Sequence, residues 1–270
     1  MTSSNEGMIE VNGERLFYRE WFGEAADAKP LILIHGNGGS VDDWLNIAPA
    51  MSGRFHVLAI DLRGHGYSAW VRDGDYSTQT MASDVARIIK AFGFESFSVV
   101  GHSMGGRVAI AYAASDPAGL EKLVIEDIRP EPHSLMGVPR PYEHFSSADD
   151  AVDKLGEMVP DHSDFDVTRY AMRMLRTEDG NRTWPFDRRM RDPNIDRGHL
   201  SAAEAWDAFL SIRVPTLVIR GELSELLTAQ EGARMAAEGQ DCRLVTIEGA
   251  GHGVHHEQPE RYLAELYKFL

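Results

Sequence analysis

The segment Val99-Val100-Gly101-His102-Ser103-Met104-Gly105-Gly106 joins an apolar run to a helical pattern through the motif Gly-x-Ser-x-Gly. A serine in this setting is typical of a nucleophile elbow, a strained strand-to-helix turn that lifts the hydroxyl clear of the sheet. Glycines flank it because only residues without a side chain let the two backbones approach closely. A glycine-rich turn can arise by chance, but the strand before it and the helix after it favour Ser103 as a nucleophile.

Apolar runs and amphipathic segments alternate on both sides of this turn. The apolar runs predict buried parallel strands at 31–34, 56–60, 97–100, 123–125, 216–219 and 243–247. Helical periodicity predicts helices at 81–92, 108–114, 228–237 and 259–270. Residues 8–22 alternate around Asn12-Gly13, which predicts an antiparallel hairpin at a sheet edge. The order of these elements implies an α/β fold with a doubly wound, mostly parallel sheet.

The alternation stops at residues 129–212, which are rich in proline, arginine, aspartate and aromatic residues. Helical patches near 148–158 and 167–175 predict a helical cap, or lid, inserted into the sheet domain. The predicted organisation is therefore a core formed by residues 1–128 and 213–270, with a cap formed by residues 129–212.

Composition excludes several classes of protein. The 270 residues include 27 Lys and Arg against 42 Asp and Glu, and the resulting net charge of −15 opposes binding to nucleic acid or to anionic lipid. No apolar run approaches the roughly 20 residues that span a bilayer. Cys242, the single cysteine, cannot form an internal disulfide, and the polar start of the chain does not resemble a secretion signal. We expect a cytoplasmic protein, a monomer or a homodimer.

A serine hydroxyl needs a base, and His252 is the best candidate. It lies in Gly249-Ala250-Gly251-His252-Gly253, directly after a predicted strand, where open α/β sheets place their sites. His255 and His256 are nearby rivals. His102, next to Ser103 on the turn, is expected to pack beneath the elbow.

The base in turn needs a carboxylate that orients it. Glu225 follows the predicted strand at 216–219, whereas Glu126 and Asp127 follow the strand at 123–125. All three satisfy the chain order serine, acid, histidine, so order alone does not separate them.

The segment His35-Gly36-Asn37-Gly38-Gly39 follows a predicted strand and is suited to an oxyanion hole. The backbone amides of Asn37 and of Met104, the residue after the nucleophile, would stabilise a developing alkoxide. The segment lacks the Lys-Ser/Thr ending of a phosphate-binding loop, and the histidines lack the spacing of a zinc site. We expect neither a cofactor nor a metal.

Four motifs together resemble the α/β-hydrolase superfamily, and the likeness covers nearly the whole chain. They are His35-Gly36-Asn37-Gly38, Asp61-Leu62-Arg63-Gly64-His65-Gly66-Tyr67-Ser68, Gly101-His102-Ser103-Met104-Gly105-Gly106 and Gly251-His252. The resemblance implies eight strands with the cap inserted after the sixth. It also implies an architectural role for Asp61, Arg63 and His65.

The same resemblance favours Glu225 as the acid, because it stands at the end of strand seven, where the family usually has aspartate. Other members place the acid after strand six, which keeps Asp127 and Glu126 as alternatives. A serine in the elbow implies acyl chemistry, because dehalogenases and epoxide hydrolases of this fold use aspartate there. The expected function is hydrolysis of a carboxylic ester or lactone through an acyl-enzyme on Ser103.

Carbon-carbon bond hydrolysis, perhydrolysis on the same triad and a non-catalytic small-molecule receptor remain alternatives. Flexible and aromatic side chains of the predicted cap suggest a small to medium apolar acyl or aryl substrate. These are Met136, Met158, Met172, Met174, Trp184, Phe186 and Trp206. Each of them can equally pack the cap onto the sheet. Arg191 and Arg197 are candidates for contact with a substrate carboxylate, although scattered arginines are more often solvated.

Overall fold

The computed structural model of the protein describes residues 4–23, 27–72, 74–132, 144–156, 176–178, 181–191 and 200–270. The strands, in chain order, are β1 (Ser4–Val11), β2 (Glu14–Trp21), β3 (Lys29–Ile34), β4 (Phe55–Ile60), β5 (Phe97–His102), β6 (Leu120–Glu126), β7 (His144–Phe145), β8 (Arg176–Glu178), β9 (Asn181–Thr183), β10 (Thr216–Gly221) and β11 (Cys242–Ile247). The helices are α1 (Ala48–Met51), α2 (Thr78–Phe92), α3 (Met104–Ala114), α4 (Ala148–Gly156), α5 (Ala202–Leu210), α6 (Ala229–Glu238), α7 (Val254–Glu257) and α8 (Pro259–Phe269). Short 3-10 turns occupy Val41–Asn46 and Arg188–Arg191.

Eight strands form one sheet in the order β1-β2-β4-β3-β5-β6-β10-β11. The first two form the predicted antiparallel hairpin, with positive φ angles at Asn12 and Gly13, and β2 pairs antiparallel with β4. The pairs from β4 to β11 are parallel. The prediction of a mostly parallel, eight-stranded α/β sheet is therefore confirmed.

The sequence of β3 is a continuous apolar run because both faces of this strand are covered. Ile32 and Ile34 pack into the core that includes residues of α2 and α3, whereas Leu31 and Leu33 pack into the core on the opposite face, around Trp44. All four strand residues are fully buried. A strand covered on both faces has no polar side to alternate with, and helices on both faces make the sheet doubly wound.

Strands β6 and β10 are adjacent and parallel, so the chain between them leaves the sheet and returns to it. The helix predicted near 148–158 is present as α4, whereas the patch predicted at 167–175 lies outside the described residues. The structure adds a three-stranded antiparallel sheet, in the order β7-β9-β8, that the sequence did not predict. Strands of two or three residues are too short to show a period of two. No helix in the described ranges combines the length and apolar character that a membrane crossing requires.

The loop after β4, residues 61–68, is hydrogen-bonded both to the 3-10 turn after β3 and to the segment between β6 and β10. The Asp61 carboxylate accepts hydrogen bonds from the backbone N–H groups of Val41 (2.6 Å) and Tyr67 (2.8 Å). Gly66 N–H donates to the Pro185 carbonyl at 2.5 Å. Nearby, the guanidinium of Arg63 is buried against Asp84, with N–O distances of 2.5 and 2.8 Å. Asp61 and Arg63 therefore have structural roles in the fold.

We predict that Arg63→Met lowers the free energy of unfolding by about 3–5 kcal/mol, because it leaves the Asp84 carboxylate buried without its cation. Urea denaturation measures the loss. The matched control is Arg213→Met, since the pair of Arg213 and Asp116 has side chains that are 72% and 69% exposed. Its removal should cost less than about 1 kcal/mol. Equal losses in the two variants would contradict a structural role for the buried pair.

Candidate active site

Ser103 stands at the turn between β5 and α3 with a φ of 52° and a ψ of −118°. A β-carbon on Gly101 would lie 2.4 Å from the Gly105 carbonyl oxygen, and one on Gly105 would lie 2.4 Å from the Ile34 oxygen. Both positions therefore exclude a side chain. The Ser103 N–H donates to the Glu126 carbonyl at 2.9 Å, which ties the turn to the end of β6. This local geometry is that of the predicted elbow.

His252 lies on the loop after β11, and its Nε2 is 2.9 Å from Ser103 Oγ. Its Nδ1 is 2.8 Å from Asp127 Oδ2. A carboxylate only accepts hydrogen bonds, so Nδ1 carries the proton and Nε2 is left to accept from the serine hydroxyl. The side chain of His252 is 32% exposed, so the ring is accessible from solvent.

The carboxylate on His252 is that of Asp127 and not that of Glu225. Asp127 is fully buried, whereas Glu225 is exposed on the loop after β10. The expectation for Glu225 is therefore corrected by the geometry. The physical reason is that the loop after β10 turns Ser224 inward, toward Asp127, and leaves the next residue facing solvent.

Asp127 is held by groups from the neighbouring strand. Its Oδ1 accepts from the Gly221 N–H at 2.9 Å, and its Oδ2 accepts a short hydrogen bond from the Ser224 hydroxyl. Burial raises the pKa of Asp127 above its usual value, while the contacts with His252 and Ser224 act in the opposite direction. Sequence reasoning missed Ser224 and Gly221, whose only signal was their position at the carboxyl end of a predicted strand.

Glu126, the other alternative acid, contacts a different histidine. Its carboxylate oxygens lie 2.7 and 2.9 Å from His255 Nδ1, and it also accepts from the His255 N–H at 3.0 Å. Both side chains are fully buried, and the His255 ring stacks on Trp44. Because His255 lies in α7, the short helix that follows His252, Glu126 anchors the chain just after His252.

Two further side chains hold the loop of the base. Glu257 accepts from the N–H groups of Gly251 (2.7 Å) and Gly253 (3.1 Å), on either side of His252. His102 lies beneath the elbow, as predicted, and its Nε2 is 3.0 Å from the His252 carbonyl. Burial lowers the pKa of His102 well below its usual value, so the ring is neutral and donates through Nε2.

The proposed oxyanion loop lies directly against the nucleophile. A β-carbon on Gly36 would lie 3.2 Å from the Ser103 β-carbon, so Asn37 follows at the point of contact. Met104 begins α3 immediately after Ser103. His35 fixes the loop, because its Nε2 accepts from the Leu62 N–H at 3.0 Å and its Nδ1 lies 2.7 Å from the Gly36 carbonyl. The assignment of Asn37 and Met104 as oxyanion donors stays a prediction.

One group of side chains beside the site has the composition of a metal site. His102, Glu126 and His255 each offer a ligand atom within 4.8 Å of the others. However, His255 Nδ1 faces both Glu126 oxygens and therefore carries a proton. A metal there would have to replace that proton and break the anchor described above, so we assign the group to positioning.

The predicted substrate-facing aromatic residues pack elsewhere. Trp184, Phe186 and Trp206 are buried in the core, with exposures of 5%, 3% and 6%. The four cap methionines lie outside the described residues, as does Arg197, and the side chain of Arg191 is not described. The expectation of an apolar acyl or aryl substrate therefore stays a prediction.

Known proteins resemble this chain in sequence and in structure. A family model described as alpha/beta hydrolase fold matches residues 29–259. An esterase of Mycobacterium tuberculosis is 29% identical over 255 residues, which cover 89% of this chain and 82% of that protein. An esterase of Escherichia coli is 26% identical over 257 residues, which cover 89% and 92%. The crystal structure of an alpha/beta hydrolase from Novosphingobium aromaticivorans has a TM-score of 0.86 at 25% identity and covers 100% of this chain and 98% of that one.

We predict that Asp127→Asn lowers kcat about 10⁴-fold, because the amide no longer selects the tautomer in which Nε2 accepts from Ser103. Glu225→Gln should leave kcat close to that of the unmodified protein. Steady-state hydrolysis of 4-nitrophenyl butyrate, with folding checked by circular dichroism, compares the two variants. A larger loss in Glu225→Gln would return the acid to the loop after β10.

Glu126→Gln should have a different signature. We expect it to lower the free energy of unfolding by about 1.5–3 kcal/mol, the range for a hydrogen bond to a charged group. Its kcat should fall far less than that of Asp127→Asn. Urea denaturation and ester hydrolysis on the same samples separate the two effects, with exposed Glu225→Gln as the control. Unchanged stability together with a 10⁴-fold loss would make Glu126 the acid instead.

Proposed function

Because the chain belongs to the α/β-hydrolase family, we propose that it is a serine hydrolase that cleaves a carboxylic ester or lactone through an acyl-enzyme on Ser103. The observation that carries the proposal is the continuous chain of contacts from Ser103 Oγ to His252 (2.9 Å) and from His252 to Asp127 (2.8 Å). Esterase relatives support hydrolysis as the reaction class.

In the first half of the reaction, His252 Nε2 takes the proton of the Ser103 hydroxyl while Oγ attacks the ester carbonyl. The imidazolium that forms is stabilised by the Asp127 carboxylate. The carbonyl oxygen becomes an alkoxide, which the amides of Asn37 and Met104 would stabilise by hydrogen bonds. Met104 is the first residue of α3, so the positive end of that helix faces the same oxygen.

In the second half, the imidazolium gives its proton to the leaving alcohol, and the acyl group stays on Ser103 Oγ. Water then attacks the acyl-enzyme with His252 again acting as the base, which releases the acid and restores the hydroxyl. A lactone differs only in that the alcohol stays tethered to the acyl group. A receptor of this fold would need neither the strained serine nor its buried acid, and both are costly to keep.

We predict that a fluorophosphonate probe labels the protein stoichiometrically and that Ser103→Ala abolishes the labelling. Hydrolysis of 4-nitrophenyl butyrate should fall on the order of 10⁶-fold in that variant. The activity that remains is due to the oxyanion hole and to substrate binding. Ser115→Ala, at the other end of α3, is the matched control and should retain both properties. Ester hydrolysis by a protein that the probe does not label would exclude the proposed mechanism.

A further inference from the structure

Arg107 carries a guanidinium group on α3, the helix that directly follows Ser103. It lies one turn after Ser103 on α3, about 6 Å along the helix axis, and its N–H donates to the Ser103 carbonyl at 3.2 Å. Helical side chains lean toward the N-terminus of their helix, which here is the end that holds Ser103. Its Nε donates to the carbonyl of Arg129 at 3.3 Å, two residues after Asp127. The guanidinium of Arg107 therefore lies between α3, which follows Ser103, and the segment that follows Asp127.

Arg107 borders a small, partly open hollow between α3, α5 and the segment after β6. Apart from Arg107, the lining is mostly apolar and includes Ile110, Ala205, Ala208 and Pro130. Its volume is about 20 Å³. A single water needs about 10–15 Å³ of cavity volume, so the hollow takes a group slightly larger than water. A carboxylate has that size.

The hydrogen-bonding capacity of Arg107 is incompletely used. Its Nη2 is buried, and no group in the described ranges accepts a hydrogen bond from it. Burial, and then the positive charge of Arg129, lowers the pKa of Arg107 to about 10. The buried guanidinium of Arg63, by contrast, is paired with Asp84 through two nitrogens. Arg107 is half-buried, and its buried Nη2 has no such partner in the described ranges, so the residue is suited to an anionic ligand.

Neighbouring acids do not take that place. Arg129 contacts Glu231 at 2.6 Å and Glu131 at 3.6 Å, so these carboxylates lie against Arg129. Glu131 still acts on Arg107 through its charge, which favours the protonated guanidinium. The planar fork of arginine matches the two oxygens of a carboxylate better than it matches a neutral carbonyl.

We propose that Arg107 binds the free carboxylate of an anionic ester substrate, so that the enzyme prefers monoesters of short dicarboxylic acids to neutral esters. This inference rests on the proposed esterase function. A five-carbon diacid separates its carboxyl carbons by roughly 5 Å, since each carbon-carbon bond is about 1.5 Å long. That span is comparable with the helical turn between Ser103 and Arg107. The net charge of −15 opposes anions in general, so the preference arises locally, at Arg107.

The test compares monomethyl glutarate with methyl pentanoate, whose acyl chains both have five carbons, by methanol release at fixed ionic strength. The unmodified protein should have the higher kcat/KM for monomethyl glutarate. In Arg107→Met, the ratio of the two kcat/KM values should fall about 10- to 100-fold, the range for a hydrogen bond to a charged group. Arg107→Lys should fall in between, because it keeps the charge and loses the fork. Exposed Arg213→Met is the matched control and should leave the ratio unchanged.

An equal loss for both esters in Arg107→Met would make the residue structural and overturn the proposal, as would a preference for methyl pentanoate in the unmodified protein. A second measurement does not depend on turnover. Calorimetry should detect monomethyl glutarate binding to Ser103→Ala and not to the double variant Ser103→Ala, Arg107→Met. If neither ester is hydrolysed and fluorophosphonate does not label Ser103, the esterase proposal fails, whereas binding that depends on Arg107 would still support the anion site.

Discussion

The close approach of α3 to the carboxyl ends of β3 and β5 is the constraint on which the rest of the site depends. It is possible only because Gly101 and Gly105 have no side chain, since a β-carbon on either would collide with backbone oxygen. The same approach forces Ser103 to a positive φ, which strains the backbone of a residue with a side chain. In return, the hydroxyl stands above the sheet, beside the loop that contains Asn37. Packing and chemistry are therefore set by one local geometry.

Around that turn, the ends of the neighbouring strands supply the other components. The end of β6 supplies two consecutive carboxylates, and the structure gives them separate tasks. Asp127 adopts a φ of 51° and reaches His252, whereas Glu126 stays in the strand and reaches His255. Adjacent positions of the chain thus make the contact with the proposed base and the contact that anchors the following turn. His252 is held both through its ring and through the chain that follows it, which limits the number of positions it can adopt.

Much of this was predictable from the sequence, for identifiable reasons. The elbow around Ser103 and the loop of His252 follow apolar strands, and glycines at fixed spacing mark both. The choice among Glu225, Asp127 and Glu126 was not predictable, because all three follow strands that end at the same edge. The contact with His252 is made by the carboxylate that is buried and receives hydrogen bonds from Gly221 and Ser224, and these contacts join residues about a hundred positions apart in the chain. The sheet of β7, β8 and β9 was missed because its strands are too short to show periodicity.

The distance of one helical turn between Ser103 and Arg107 separates two kinds of requirement. Positions 101 and 105 are fixed by the close approach of backbones, so a residue with a side chain at either would displace the turn that holds Ser103. Position 107 is the first in the helix whose side chain leaves the elbow and borders the hollow beside α5. On the proposal for Arg107, a change there would alter what the hollow binds without altering how Ser103 is held. The same proposal lets the fold keep one geometry around Ser103, while the residues one turn away, together with the segment after β6, would determine which acyl group is bound.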